Sequence, residues 1–432
     1  MKKNKVNIIT LGCSKNTVDS EHLAAQLRAG KTEVLFDADD TAGANTIIIN
    51  TCGFIKDAKE ESIDTILKFA RLKEEKQIDN LYVIGCLSER YKKDLEKEIS
   101  EVDQYFGVND VNKILKTLNT KFKNELIGER ELSTPKHYAY LKISEGCDRT
   151  CSFCAIPLIR GKHKSIPMEI LIEEAENLAK KGVKELILIA QDLTYYGLDL
   201  YKKQMLPELL KKLVKIERLK WVRLHYSYPA LFPDELIELI AKEPKICNYL
   251  DIPVQHVSNS VLKRMRRAHD KESTLQLFAK IKKANPDLVL RTTLLVGYPG
   301  ETKQDFEELK EFVQNTKFDR LGIFTYSEEE GTFGAANHKD DVAEKTKTER
   351  AEEIMRLQEQ ISFELNQKRI GKSMEVLIDR KEDDYYVARS EYDSPEVDNE
   401  ILIFTDDKLT IGDFYKVKIT DAREYDLFAE IV

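Results

Sequence analysis

Long apolar runs are missing from this sequence. Stretches such as residues 6–11, 46–49 and 186–190 fall far short of the roughly 20 residues that a membrane-spanning helix needs. No secretory leader is expected either. Residues 1–5 are basic, but the apolar stretch behind them is short, contains Asn7, and runs into Gly12 and Cys13 without a small-residue cleavage site. That stretch reads as a first buried strand, and a cytoplasmic protein with no membrane partner is expected. An even set of cysteines is lacking too. Seven cysteines in a chain without a leader point to metal or redox chemistry before a disulfide scaffold. Most of the chain also lacks any charge excess. Residues 1–368 hold 59 basic and 59 acidic side chains, so the whole formal charge of -8 belongs to residues 369–432, with 9 basic against 17 acidic. A partner docking on that last segment should be basic.

What is present suits a folded enzyme. A chain of 432 residues, 42% hydrophobic and 33% charged, can bury a substantial core in two or three domains. Over the first 115 or so residues, short apolar runs alternate with helical patterns: 7–11 before a helix from Thr17, 46–50 before one from Lys56, 81–84 before one from Ser88. Such alternation predicts a parallel sheet. Each run ends in a cysteine, Cys13, Cys52 and Cys86. Ligands gather beyond the carboxyl ends of parallel strands, so three thiols can converge there, and the following helix N-termini should favour thiolates. Free cysteines are often small buried core residues instead. Three in the same place of three successive units favour a single metal site, and three ligands on a 4Fe-4S cluster leave one iron open.

After a polar connector over residues 121–136 comes Cys147, Cys151 and Cys154, spaced Cys-x3-Cys-x2-Cys. Three thiolates on so tight a loop can cover one face of a cluster and leave the fourth iron free to chelate a small molecule. A disulfide reading leaves an odd thiol. A zinc reading lacks a local fourth ligand, although His163 lies nearby.

This triplet, with Phe153 just before its last cysteine, resembles the signature of the radical S-adenosylmethionine superfamily. The resemblance implies that the free iron binds S-adenosylmethionine, and that an electron from the reduced cluster releases a 5′-deoxyadenosyl radical able to abstract hydrogen. Apolar runs at 186–190, 221–224, 249–254, 288–295 and 321–324 fit the partial (β/α) barrel of that superfamily. Residues 296–301, Val-Gly-Tyr-Pro-Gly-Glu, resemble its adenosine-contacting turn. By that resemblance Phe153, Gln191, Arg223, Gln255, Gly297 and Glu301 are assigned to the S-adenosylmethionine pocket. The polar residues Asp192, His225, His256 and Ser258 at other strand ends are each ordinary structural features, Cys247 reads as inert core, and the basic run Lys263, Arg264, Arg266 and Arg267 stays unassigned, since such a run is usually a solvated helix face and only sometimes a substrate or phosphate contact.

A charged helix is expected from Glu344 to about Lys368. Five short strand-like segments beyond Arg369 then predict a small barrel. It looks like a TRAM domain, a relative of the oligonucleotide-binding fold. The class expected is therefore α/β: an N-terminal parallel α/β domain over 1–122, a radical core over 133–365 and a TRAM, OB-like barrel over 366–432. An acidic barrel would repel phosphates across a Debye length of about 8 Å, so a protein partner is favoured over RNA.

Taken together, these features resemble the methylthiotransferases across nearly the whole chain. Residues 389–398 and 223–229 look like the branch acting on the twelfth protein of the small ribosomal subunit rather than on tRNA. Ser165-Ile166-Pro167 departs from the usual Ser-Arg-Pro and puts an arginine contact there in doubt. The resemblance implies that the cluster on Cys13, Cys52 and Cys86 carries sulfur that one S-adenosylmethionine methylates. A second is cleaved at the cluster on Cys147, Cys151 and Cys154, an electron donor supplies the reductant, and the methylthio group joins the β-carbon of an aspartate. A tRNA adenosine methylthiotransferase and a non-catalytic iron-sulfur ribosome-binding or redox-sensing protein are the alternatives.

Overall fold

The computed structural model describes residues 5–432; residues 1–4, most of the basic start and the first positions of the expected 1–122 domain, lie outside them. Packing divides the chain into two compact units. One comprises the residues up to Thr134, Tyr140–Arg149 and Ala155–Leu178; the other comprises Pro135–Ala139, Thr150–Cys154 and Ala179–Val432. These divisions differ from the three-domain boundaries read from the sequence. Among the described residues no helix is long and apolar enough to cross a membrane.

In the first unit, β1 (Lys5–Thr10), β2 (Glu33–Phe36), β3 (Thr46–Thr51), β4 (Asn80–Gly85) and β5 (Gln104–Tyr105) form one parallel sheet in the order β2-β1-β3-β4-β5. Both faces are covered, which is why these strands read as continuous apolar runs. Alternation along β3 divides the core: Ile48 packs with Val6, Ile8, Leu23 and Leu27, whereas Ile47 and Ile49 pack with Ile66, Phe69, Leu81 and Val83. The helices α1 (Ser14–Ala29), α2 (Lys56–Glu74), α3 (Cys86–Glu98) and α4 (Val111–Thr117) supply those layers. Helices α1 and α3 begin two to three residues earlier than expected, directly at the cysteines, with Cys13 as the N-cap of α1. The short helix α5 (Ile156–Arg160) follows the second cysteine loop.

Strand β6 (Tyr138–Lys142) precedes a short antiparallel pair, β7 (Ser144–Glu145) and β8 (Lys164–Ser165). A six-stranded sheet has the order β13-β12-β11-β10-β9-β6, with β9 (Glu185–Ile189), β10 (Trp221–Leu224), β11 (Ile246–Asp251), β12 (Val289–Val296) and β13 (Arg320–Thr325) mutually parallel. Helices between these strands cover it, as expected for a partial (β/α) barrel. The long helix at Glu344–Gln367 then leads to a closed barrel of β14 (Ser373–Glu382), β15 (Tyr385–Ser390), β16 (Glu400–Phe404), β18 (Asp426–Ile431) and β17 (Phe414–Ala422), in that order. Its interior holds Val376, Ile378, Ala388, Ile401, Ile403, Val417, Ile419 and Leu427, all fully buried.

The small barrel belongs to the same compact unit as the six-stranded sheet because buried groups join them. Leu377 packs with Trp221, Cys247, Tyr249 and Val289. Glu185 accepts from Arg223 Nε at 2.7 Å and from Arg389 Nη2 at 2.8 Å, Arg389 Nε donates to Asp379 at 2.5 Å, and His137 Nε2 lies 2.8 Å from Asp379. Charges so deep must be paired, since an isolated buried ion costs several kcal/mol.

Candidate metal centres and cofactor pocket

Strands β1, β3 and β4 are neighbours whose ends are in register, Thr10 opposite Asn50 and Asn50 opposite Ile84. Cys52 and Cys86 follow β3 and β4 directly and Cys13 follows β1 after a two-residue turn, so the topology brings all three to one edge of the first unit. Close approach there depends on glycine. A Cβ on Gly12 would stand 2.6 Å from Cys52 Cβ, and one on Gly85 would stand 2.5 Å from Asn50 Oδ1; both have positive φ, +91° and +100°. The Ser62 hydroxyl accepts from Cys52 N–H and donates to Cys52 O, both at 3.0 Å. Asn16, fully buried, donates through Nδ2 to Leu11 O at 2.7 Å and Thr51 O at 3.1 Å.

At Cys52 and Cys86 the following helix N-termini do not outweigh burial. Burial raises the Cys52 thiol and pushes Cys86 up to about 12, against the opposing pull of Arg160. A bound metal would supply the charge that turns these thiols into thiolates. Among the described residues no three His, Cys, Asp or Glu side chains close around a point as a single ion would require; a cuboid cluster, with a separate iron for each thiolate, does not require it. Three sulfur donors on adjacent loops, with no nearby fourth protein ligand from the sequence pattern, fit a 4Fe-4S cluster with an open iron.

Sequence reading missed Arg160. Its Nη2 donates to Asn16 Oδ1 at 2.6 Å, and its Nη1 to Glu145 Oε1 at 2.9 Å and Asp19 Oδ2 at 3.1 Å. Its partners Asn16 and Asp19 lie 144 and 141 residues away in sequence, so no local pattern could have announced it.

The three cysteines of the second loop are half-buried. In the first unit, Cys147 N–H donates to Gly161 O at 3.1 Å and Cys147 Sγ accepts from Arg149 N–H at 3.4 Å. In the second, Cys154 N–H donates to Cys151 O at 3.1 Å, and Ser152 is held by Met265 O at 2.9 Å and the Tyr298 hydroxyl at 2.7 Å. Arg267 Nη1 reaches Cys151 Sγ at 3.6 Å. Zinc draws no support from His163, whose Nε2 lies 3.0 Å from Ser165 Oγ.

The residues assigned to the cofactor pocket fare differently. The Phe153 ring packs edge-on to Tyr298 at 6.5 Å, in an apolar group with Val261, Met265, Leu295 and Tyr326. Gln255 holds a left-handed backbone, φ +68°, while its N–H and C=O bond Thr293 and Leu295 of β12. Gln191 is half-buried two residues past β9. Glu301 does not reach outward: Oε2 accepts from Gly297 N–H at 2.6 Å and Tyr298 N–H at 3.2 Å, and Oε1 from Arg350 at 2.8 Å. It ties the turn together, and Gly297 is one of the groups it ties. Burial pushes its carboxyl up to about 7, against the pull of Arg350 and the two amides.

Arg223 is a correction. Its guanidinium, fully buried, is committed to Glu185 and to the carbonyls of Glu391 at 2.7 Å and Ser390 at 3.2 Å. A strand residue's face cannot be read from its type, and this one points at the small barrel. The remaining polar strand ends are structural, as expected: Asp192 caps Thr194, His225 bonds Ser394 Oγ at 2.8 Å, His256 Nδ1 accepts from Ser258 N–H, and Ser258 Oγ bonds Asp305. Cys247 is core, 1% exposed. The basic run divides: Lys263 and Arg266 are exposed, Arg266 over the Phe333 ring, whereas the half-buried Arg264 donates to Gly300 O and Arg267 faces Cys151.

Family models agree with this layout. One described as the radical SAM superfamily matches residues 141–313, one described as uncharacterized protein family UPF0004 matches 5–107, and one described as the TRAM domain matches 370–432. The chain is 57% identical over 431 residues to the ribosomal protein uS12 methylthiotransferase RimO of Christiangramia forsetii, covering 100% of this chain and 95% of that protein. It is 54% identical to the protein of the same name from Phocaeicola vulgatus, over the full length of both. Among solved structures it shares a fold with the radical S-adenosylmethionine methyltransferase TsrM from Kitasatospora setae, at TM-score 0.56 and 14% identity over 75% of each chain. OxsB, a cobalamin-dependent S-adenosylmethionine radical enzyme, aligns at TM-score 0.53 and 12% identity over 83% of this chain and 56% of that one. With identity this high from end to end, the chain belongs to the ribosomal protein uS12 methylthiotransferase family.

Proposed function

We propose that this chain is a radical S-adenosylmethionine enzyme that adds a methylthio group to ribosomal protein uS12, at the β-carbon of an aspartate. The observation that carries the reading is full-length identity of 53–57% to relatives bearing that name. Its cofactors are S-adenosylmethionine and 4Fe-4S clusters; when bound, they would supply the methyl group, a hydrogen-abstracting radical and an open iron that can carry sulfur.

The protein's part is to hold and shield. Cys13, Cys52 and Cys86 would hold one cluster, and Cys147, Cys151 and Cys154 the other. Phe153, with Tyr298 and Leu295, would keep water from the second site, while Gln191, Gln255 and the turn at Gly297 would offer polar groups to S-adenosylmethionine. Glu301 acts through the turn it fastens, and Arg223 is withdrawn from this set. Functionally the chain divides into a cluster-binding part, a radical core and a TRAM barrel. The barrel's excess of acidic side chains, 17 against 9 basic, supports contact with a basic protein surface rather than with RNA. Such a substrate fits an enzyme of the cytoplasm, where an electron donor would serve as reductant.

The test incubates anaerobically reconstituted, reduced enzyme with S-adenosylmethionine and either uS12 or tRNA. A gain of about 46 Da on an aspartate of uS12, the increment when methylthio replaces hydrogen, is the expected result. A gain on tRNA alone overturns the substrate but not the chemistry. Absence of both products and of 5′-deoxyadenosine, with both clusters intact, points to the sensing alternative.

A further inference from the structure

The first unit buries a guanidinium that the chemistry above does not use. Arg160 closes α5, six residues beyond Cys154, and its side chain is 1% exposed. A buried arginine between two carboxylates is most often a structural pair. Here the fork reaches further. Through Nη2 it holds Asn16 at 2.6 Å, and Asn16 in turn is bonded to Leu11 O beside Cys13 and to Thr51 O beside Cys52. The Asn16 Oδ1 that Arg160 holds also lies 3.9 Å from Cys86 Sγ, within reach of the thiol. One side chain is thus linked to all three cysteine-bearing loops, while Lys142 shares the carboxylates of Asp19 and Glu145.

We propose that Arg160 is a positioning residue for the cluster on Cys13, Cys52 and Cys86, fixing the three loops and setting a permanent positive charge against the thiolate-bound core. A guanidinium keeps its charge at any working pH. A 4Fe-4S core on three thiolates is anionic, and one-electron reduction adds a further negative charge, so a cation beside Cys86 favours the reduced form. The inference rests on the reading that these cysteines hold a cluster.

The experiment uses the full-length chain carrying Cys147→Ala, Cys151→Ala and Cys154→Ala, so that one cluster reports. It is reconstituted with iron and sulfide, titrated with dithionite, and followed by electron paramagnetic resonance. Adding Arg160→Met should lower the reduction equilibrium at least tenfold, about 59 mV for one electron, and Arg160→Lys should recover most of the loss. An unchanged midpoint at unchanged iron load overturns the assignment. Should Arg160→Met fail to fold, Asp19→Asn decides with Arg160→Lys: loss of a neutralising carboxylate should move the midpoint upward, and no movement in either variant overturns the proposal. A parent chain that takes up no iron would sink the cluster reading instead.

Discussion

Arg267 aims Nη1 at Cys151 Sγ, 3.6 Å away, while Nη2 donates to Pro253 O at 2.5 Å and Nε to His269 at 3.2 Å. The guanidinium also lies over the Tyr228 ring at 4.2 Å. It is anchored on three sides and turned toward a sulfur. Arg267→Met should keep the iron load but lower 5′-deoxyadenosine formation about tenfold or more, the usual effect of losing an outer partner of a metal ligand. Unaltered turnover at full iron would refute the role.

The glycine turns at the first cysteine set give a sharper test. Gly12→Ala drives a methyl group to 2.6 Å from Cys52 Cβ at a positive φ, so Cys52 must move. Reconstituted iron should fall from about eight to about four per chain, as it should for Cys52→Ala. Cys247→Ala, in the core beside Tyr249, should leave iron unchanged.

Glu185 joins two guanidiniums, Arg223 and Arg389, with none of the three side chains more than 3% exposed. Glu185→Gln leaves two buried cations short of their shared anion and should cost about 3–5 kcal/mol in urea denaturation. The exposed pair of Arg380 with Glu400, 47% and 36% exposed, sets the contrast: Arg380→Ala should change stability by less than about 0.5 kcal/mol.

Glu301 should print a pH dependence on stability. Its carboxyl sits at about 7 in the folded chain against an ordinary 4.5, so between those values the folded state holds a proton that the unfolded state has lost. Stability is therefore highest below about pH 4.5 and falls by about 3 kcal/mol as pH rises to about 7. Groups around it are Arg350, the amides of Gly297 and Tyr298, His256 and Asp305. Glu301→Gln should flatten this part of the profile; an unchanged slope would show that another group carries it.

Much of this was legible in the sequence, for identifiable reasons. Strands such as Thr46–Thr51 are buried on both faces, so they stand out as apolar runs, and cysteines at their ends mark a ligand edge. Short strands such as Gln104–Tyr105 carry too few residues to show a period. Arg160 carried no signal, and Arg267 showed only as part of a basic run, because the partners that give them meaning lie more than 100 residues away. Arg223 was misread because a polar residue within a strand announces burial beside a partner but not which partner. Residues 223–229 and 389–398 had been singled out separately by resemblance; the structure shows them touching, through Arg223 with Glu391 and His225 with Ser394.

That contact limits how modular the C-terminal barrel can be. Arg223 is satisfied by carbonyls of Ser390 and Glu391, Arg320 by Asp393 at 2.5 Å, and Arg291 with Tyr249 by Asp398 at 3.3 and 2.7 Å. Another barrel of the same fold, grafted in at Arg369, would arrive without this set of acceptors and would strand three arginines. Exchange of the barrel between relatives therefore requires the sheet's arginines and the 390–398 turn to travel together, as a single heritable joint.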